Sequence, residues 1–284
     1  MALTINTNIS SMVAQQNLNK ATGSLNKAIE RMTTGYKINH AGDNAAGYSI
    51  ARNWETQLGS LDVAADNAAM GSDMLTTLED HYSLVSSHIQ RVRDLTEQAA
   101  NGTYGADSLD AIKSEIKARL DEIDRIATNC EYNGKKLMNG SISSNINLQV
   151  GLYSSTDSQI TLSSTLFADA KVSSIMSAIG ADKDAVATAC SGANAAAQLD
   201  KLDNVLKNIS TRTTTLGAAQ NRVESAVESI AVQSENITSS LSTLRDADVA
   251  NESSKFIQSQ ILQQAAASLL STANQTPSIA LSLI

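Results

Sequence analysis

Hydrophobic positions along this chain fall into long runs spaced alternately three and four residues apart. The longest passes through Leu199, Leu202, Leu206, Ile209, Thr213, Leu216, Gln220, Val223, Val227, Ile230, Ser234, Ile237, Leu241 and Leu244. Eleven of these fourteen are aliphatic. A mean spacing of 3.5 residues keeps one seam facing a partner helix, so 199–244 is predicted as a coiled-coil helix. At about 1.5 Å per residue it would run ~70 Å and needs an equally long partner. A second helix is predicted from about Ala45 to Ala100, with Asp43 or Asn44 as N-cap. Its seam runs through Ile50, Trp54, Leu58, Leu61, Ala65 and Ala68. It then resumes, shifted by one position, at Leu75, Leu78, Tyr82, Val85, Ile89 and Val92, which reads as a stammer. A third, shorter helix, capped by Asp107 or Ser108, turns Leu109, Ile112, Ile116, Leu120 and Ile123 inward and ends near Cys130.

Period two replaces period 3.5 further on. Ile146, Leu148 and Val150 alternate with polar residues, as do Ile160 and Leu162, which predicts a β-hairpin. Tyr132 to Gly140 reads as loop, with Asn133-Gly134 and Asn139-Gly140 as turn pairs. Residues 167–198 have a weak pattern rich in Ala, Ser and Asp, expected to form short helices and loops at the surface.

Both ends carry more apolar surface than one helix pair can bury. In 3–34, Ile5, Ile9, Met12 and Val13 share one side. Ala14, Leu18, Ala21, Leu25, Ala28 and Met32 form a second seam nearly opposite the first. Gly35 is a plausible C-cap, and Tyr36 to Gly42 an irregular linker. After a second linker at 245–252, Phe256, Ile257, Ile261, Leu262, Leu269 and Leu270 spread over more than one helical face, and Pro277 interrupts. Either the ends pack on the central bundle, or they pack on other copies of the chain. A head-to-tail contact that does not close would build a filament.

Composition narrows the function. One proline and nine aromatic residues in 284 suit long unbroken helices and argue against an aromatic enzyme core. A formal net charge of −8 opposes binding to a phosphate backbone, so no nucleic-acid partner is expected. No apolar run is long enough to span a membrane, and no basic, apolar leader precedes the first helix, so neither a membrane partner nor a cleaved signal is expected. Cys130 falls in register with Ile116, Leu120, Ile123 and Ala127 and is read as a buried small hydrophobe. His81 and His88 are seven apart, too far to chelate one ion unaided. No catalytic constellation, cofactor motif or metal site stands out.

Several ordered motifs carry a family resemblance. Ile5-Asn6-Thr7-Asn8, Leu18-Asn19-Lys20, Ala28-Ile29-Glu30-Arg31 and Gly42-Asp43-Asn44-Ala45-Ala46-Gly47 resemble the N-terminal part of bacterial flagellins. Gln90-Arg91-Val92-Arg93-Asp94-Leu95 resembles the central helix of that family. Leu216-Gly217-Ala218-Ala219-Gln220-Asn221-Arg222, Gln260-Ile261-Leu262-Gln263-Gln264-Ala265 and Ala273-Asn274-Gln275 with Pro277 resemble its C-terminal arm.

The resemblance implies a mainly α subunit: a long coiled-coil helical bundle with a small β-hairpin region and terminal helices paired into a coiled coil. It implies three parts. Residues 1–42 and 245–284 would form an inner tube, 43–166 and 199–244 an outer tube, and 167–198 a short variable surface insertion. It further implies a homopolymeric flagellar filament for motility, secreted by the flagellar type III apparatus, with an export chaperone and cap or junction proteins as partners. Assembly would rest on Ile5, Ile9, Met12, Leu18, Leu25, Met32, Ile261, Leu262, Leu269 and Leu283. Free subunits of the family are bound by the vertebrate Toll-like flagellin receptor; Gln90, Arg91, Arg93, Leu95 and Glu115 match that contact. Thr96 and Glu97 depart from the family pattern there. A secreted coiled-coil effector or adhesin is the competing reading.

Overall fold

The computed structural model describes residues 7–177, 186 and 192–281, with 192–193 and 276–281 described by their backbone alone. Ile5, Leu283 and Cys190 lie outside the described residues. In chain order the elements are α1 (Ile9–Thr34), α2 (Ala45–Ala100), α3 (Ala106–Asn129), β1 (Glu131–Tyr132), β2 (Lys135–Lys136), β3 (Ile146–Gln149), β4 (Gln159–Leu162), α4 (Val172–Ser177), α5 (Gly192–Arg245) and α6 (Val249–Leu281). They sort into two compact units, one of residues 1–58 with 235–284, the other of 59–234.

In the first unit, α1 packs against α6 in antiparallel fashion. Asn8 Nδ2 donates to the Ala273 carbonyl at 2.7 Å, and Gln263 Nε2 donates to Thr22 Oγ1 at 3.1 Å. Small residues let the two backbones approach: Ala14, Ala21 and Ala28 of α1 are buried, as are Ser259 and Ala266 of α6. Gly35 ends α1 in the left-handed conformation expected of it, at φ 74°. Asn44 is the cap of α2, its side-chain oxygen accepting from the Gly47 N–H at 3.0 Å. The Tyr36–Gly42 linker is less irregular than its composition suggests. Tyr36 forms an antiparallel bridge with Asp246, the Lys37 N–H donating to the Arg245 carbonyl and the Ala247 N–H to that of Gly35. The second linker is only 246–248, because Asp248 Oδ1 accepts from the Ala250 and Asn251 N–H groups and starts α6 there. Pro277 does not interrupt α6, which continues to Leu281. A proline removes one helical N–H donor and need not end the helix.

In the second unit, 59–100 of α2, α3 and 192–234 of α5 enclose one apolar core. Its line on α2 runs through Leu61, Ala64, Ala68, Gly71, Leu75, Leu78, Tyr82, Val85, Ile89, Val92, Thr96 and Ala99, all buried. That line alternates threes and fours without a break, so the expected phase shift is absent. The missing rung is Gly71, which has no side chain to mark it. Leu148 of β3 fills the space: a Cβ at Gly71 would lie 2.4 Å from its Cδ1. On α5, Leu202, Ile209, Leu216, Val223 and Ile230 are buried as predicted. Their companions are Val205 and Ala219; Leu206 is half-buried and Val227 38% exposed. The helix therefore turns a wider stripe inward than a two-helix seam requires.

The hairpin has the predicted register, Ile146 opposite Leu162 and Leu148 opposite Ile160. Three further expectations fail. α3 begins at Ala106 with Gly105 as cap and no side-chain cap bond, leaving Asp107 in the first turn. Tyr132–Gly140 contains the small hairpin of β1 and β2, turned by Asn133 at φ 48° and Gly134 at φ 78°, a pairing typical of type I′ turns. The segment after 166 is not confined to the surface. Phe167, Ala170, Val172, Ile175 and Met176 are buried in the core, and α5 starts at Gly192, before Leu199. Asp124 secures this segment by accepting from the Val172 N–H at 2.8 Å.

Candidate functional site

Two surfaces hold the residues singled out by the sequence, one on each unit. On the α1–α6 pair, Leu18, Leu25 and Met32 lie half-buried along the face that also carries Ala14, Ala21 and Ala28. The other face of α1 leaves Ile9 67% and Met12 62% exposed. On α6, Ile261, Leu262 and Leu269 are 60%, 52% and 63% exposed. Heptad spacing explains the split. Glu252, Ser259 and Ala266 occupy the buried positions, so the large aliphatic residues fall outside them. Large aliphatic side chains left exposed on both helices mark an interaction surface. A groove of about 610 Å³ runs between the helices, floored by Ala21, Ala28 and Ala266, walled by Leu262 and Leu269, and edged by Lys20.

Arg31, Glu252 and Lys255 form the charged end of that groove. Glu252 is buried and accepts from Lys255 at 2.8 Å and from Arg31 at 3.4 Å. Lys255, and less strongly Arg31, hold its carboxyl below the usual range. Elsewhere in this unit Lys27 sits 2.7 Å from Asp43, whose carboxyl also accepts from the Asn39 and His40 N–H groups. Lys27 leads in drawing the Asp43 pKa down to about 2. Arg245 lies 4.2 Å above the Tyr36 ring and pairs with Glu55, a junction with no local pattern to announce it.

On the second unit, Arg91 reaches from α2 to Glu115 of α3, its Nε donating at 3.2 Å. Glu115 also lies 3.7 Å from Arg119. Two residues on, Arg93 grips Asp203 of α5 with two nitrogens, at 2.5 and 3.4 Å, and reaches Glu97 at 3.3 Å. The guanidinium beside Asp203 holds that carboxyl below its usual range. One turn of α2 is thus clamped to both neighbours. The sequence could not identify Asp203, because 110 residues separate it from Arg93. Gln90 is exposed, but Leu95 is only 2% exposed and lies in the core, so it is not available as a surface contact. It belongs to the α2 column through Met74 and His88, which faces partly inward.

Among the described residues, no group of three or more His, Cys, Asp and Glu is placed to hold a metal ion. His81 Nδ1 lies 2.7 Å from the Thr77 carbonyl. Cys130 is a free buried thiol, pushed up to about 11 by its apolar surroundings. Long helices, an apolar core and large aliphatic side chains left uncovered are the features of a structural subunit that associates through its helices.

Comparison with known proteins gives that class a family. The model of the bacterial flagellin N-terminal helical region matches residues 5–143, and that of the C-terminal helical region matches 199–284. The chain is 32% identical to a flagellin of Bacillus subtilis over 303 residues, covering 99% of each. It is 35% identical to a flagellin of Xenorhabdus nematophila over 316 residues, covering 100% of each. A solved structure described as a flagellar hook-associated protein from Vibrio parahaemolyticus superposes with a TM-score of 0.58 over 72% of this chain and 100% of that one; at 15% identity this speaks to the fold alone. The chain belongs to the bacterial flagellin family. It is a structural protein of the flagellar filament, which serves motility, and not an enzyme. The filament is extracellular, and among the described residues no helix is long and apolar enough to cross a membrane.

Proposed function

We propose that the filament is built by stacking the terminal helix pairs, residues 1–42 with 245–284, into an inner tube, with the bundle of 43–244 outside it. The observation that carries this reading is the exposed apolar surface of Ile9, Met12, Ile261, Leu262 and Leu269, which one molecule leaves in water. Leu18, Leu25 and Met32 hold the pair together so that this surface is presented. Family membership supports export through the flagellar type III apparatus, with a chaperone covering the apolar ends before export and cap or junction proteins receiving them. To test the assembly reading, purified chain is incubated with filament seeds at rising concentration and negatively stained. Long filaments are expected, and Leu262→Glu with Leu269→Glu should abolish them. A chain that stays monomeric under all these conditions overturns the reading.

The free subunit also presents Gln90, Arg91, Arg93 and Glu115 to the vertebrate Toll-like flagellin receptor. Arg91 and Glu115 would be read as one planar ion pair, since a guanidinium can serve two acceptors at once. Replacing Arg91 by Ala should weaken binding to the receptor ectodomain by about tenfold or more, the scale of a lost charged contact. Unchanged affinity for folded Arg91→Ala protein would remove the assignment.

A further inference from the structure

α2 carries a second heptad line that the core does not use. Val63, Met70 and Leu84 occupy it, at 58%, 52% and 50% exposure. Directly beside it, Asp66, Asp73 and Asp80 recur every seven residues, all exposed. None of these three carboxylates has a partner among the described residues. Residues 59–234 hold 14 Lys and Arg against 22 Asp and Glu, so the whole formal net charge of −8 falls on this unit. Apolar side chains flanked by unpaired like charges in strict register are the edge pattern of a helix–helix interface whose other half is cationic.

That other half is present on the same unit. The outward face of α5 carries Lys207 and Arg222, exposed and unpaired among the described residues. Between them, exposed Thr211 and Ala218 provide a low surface that can accept the bulk of Met70. Lys207 and Arg222 are fifteen positions apart, about 22 Å along the helix, and Asp66 and Asp80 fourteen, about 21 Å. The two faces belong to different helices, so each chain offers one of each, and a head-to-tail pairing leaves one of each free to receive the next copy.

We infer that the α2 face of Val63, Met70, Asp66, Asp73 and Asp80 docks onto the α5 face of Lys207 and Arg222 in a second copy of this chain. This contact rests on the filament reading above and assigns it an outer, charge-directed interface distinct from the apolar terminal one. Charge reversal tests it. With seeded full-length chain, Asp66→Lys/Asp73→Lys/Asp80→Lys should raise the concentration needed for pelletable filaments by about tenfold or more, because like charges then face each other. Lys207→Glu/Arg222→Glu should do the same. All five changes in one chain should return it to within about threefold of the parent, since the attraction is restored with signs exchanged. Circular dichroism checks that each variant keeps its helicity. A Met70→Cys/Ala218→Cys chain, with Cys190→Ser, should form an inter-chain disulfide in filaments and none as monomer. If either reversal polymerises like the parent, or the five-fold variant does no better than the worse of the two, the contact is wrong. If the unaltered chain itself forms no filament, the filament reading fails first.

Discussion

Gly71 occupies a core position of α2 where a side chain has no room. A Cβ there would meet the Leu148 side chain, 2.4 Å from its Cδ1, so Gly71→Ala must push that side chain out of its place in the core. Overpacking of this kind costs about 1–3 kcal/mol. Gly217, in the interior of α5, has nothing within 4 Å of its would-be Cβ, and Gly217→Ala should stabilise by about 0.5–1 kcal/mol through helix propensity. Urea unfolding of both variants separates the packed glycine from the idle one. Titrating groups allow a second prediction. Asp43 titrates near 2 when folded against 3.8 unperturbed, so its stabilisation is complete above about pH 4 and is lost as pH falls toward 2. Lys27→Met, measured by chemical unfolding, should be less stable than the parent at pH 6, with the gap closing by pH 2. Cys130 runs the other way: its thiol is raised from 9.0 to about 11, so its contribution is complete below about pH 9 and fades as pH rises through 11. In a Cys190→Ser chain, disulfide reagents at neutral pH should react no faster than the protein unfolds.

Helices in the two units meet by different rules. In the bundle, large side chains interlock; in the α1–α6 pair, Ala14, Ala21, Ala28, Ser259 and Ala266 bring the helices close and push the large residues outward. Ala28→Leu should therefore wedge the pair apart at a cost of about 1–3 kcal/mol. It should also impair filament growth while leaving Arg91 and Glu115 undisturbed. Limited proteolysis of α1 and α6 reads the first effect and pelleting the second. The period-3.5 pattern was enough to locate α1, α2, α3 and the main body of α5, because each has one buried side. It misjudged the middle of α2, where the glycine rung is silent. It also misjudged 167–177, where Phe167 and Met176 are too few to make a period yet fill the core.

At the scale of the molecule, the twelve largest fully buried side chains among the described residues, Tyr82 and Phe167 included, all lie in 59–234. Removing residues 1–34 should thus leave that unit folded, with its thermal transition kept and filament formation abolished. Loss of cooperative melting throughout would show that the terminal pair and the bundle share one core.

Spacing along the chain located the long helices and the β3–β4 hairpin, showed which residues of α3 face inward, and showed that the ends carry apolar surface in excess. These follow from local helical geometry, which needs no partner to be read. Tertiary structure alone decided that Asp203 answers Arg93, that Leu95 is interior, that Leu148 needs Gly71 to be bare, and that Asp246 meets Tyr36. Each of those depends on chain segments far apart in sequence, and a repeat of 3.5 residues says which side of a helix is wet or dry but not what lies across from it.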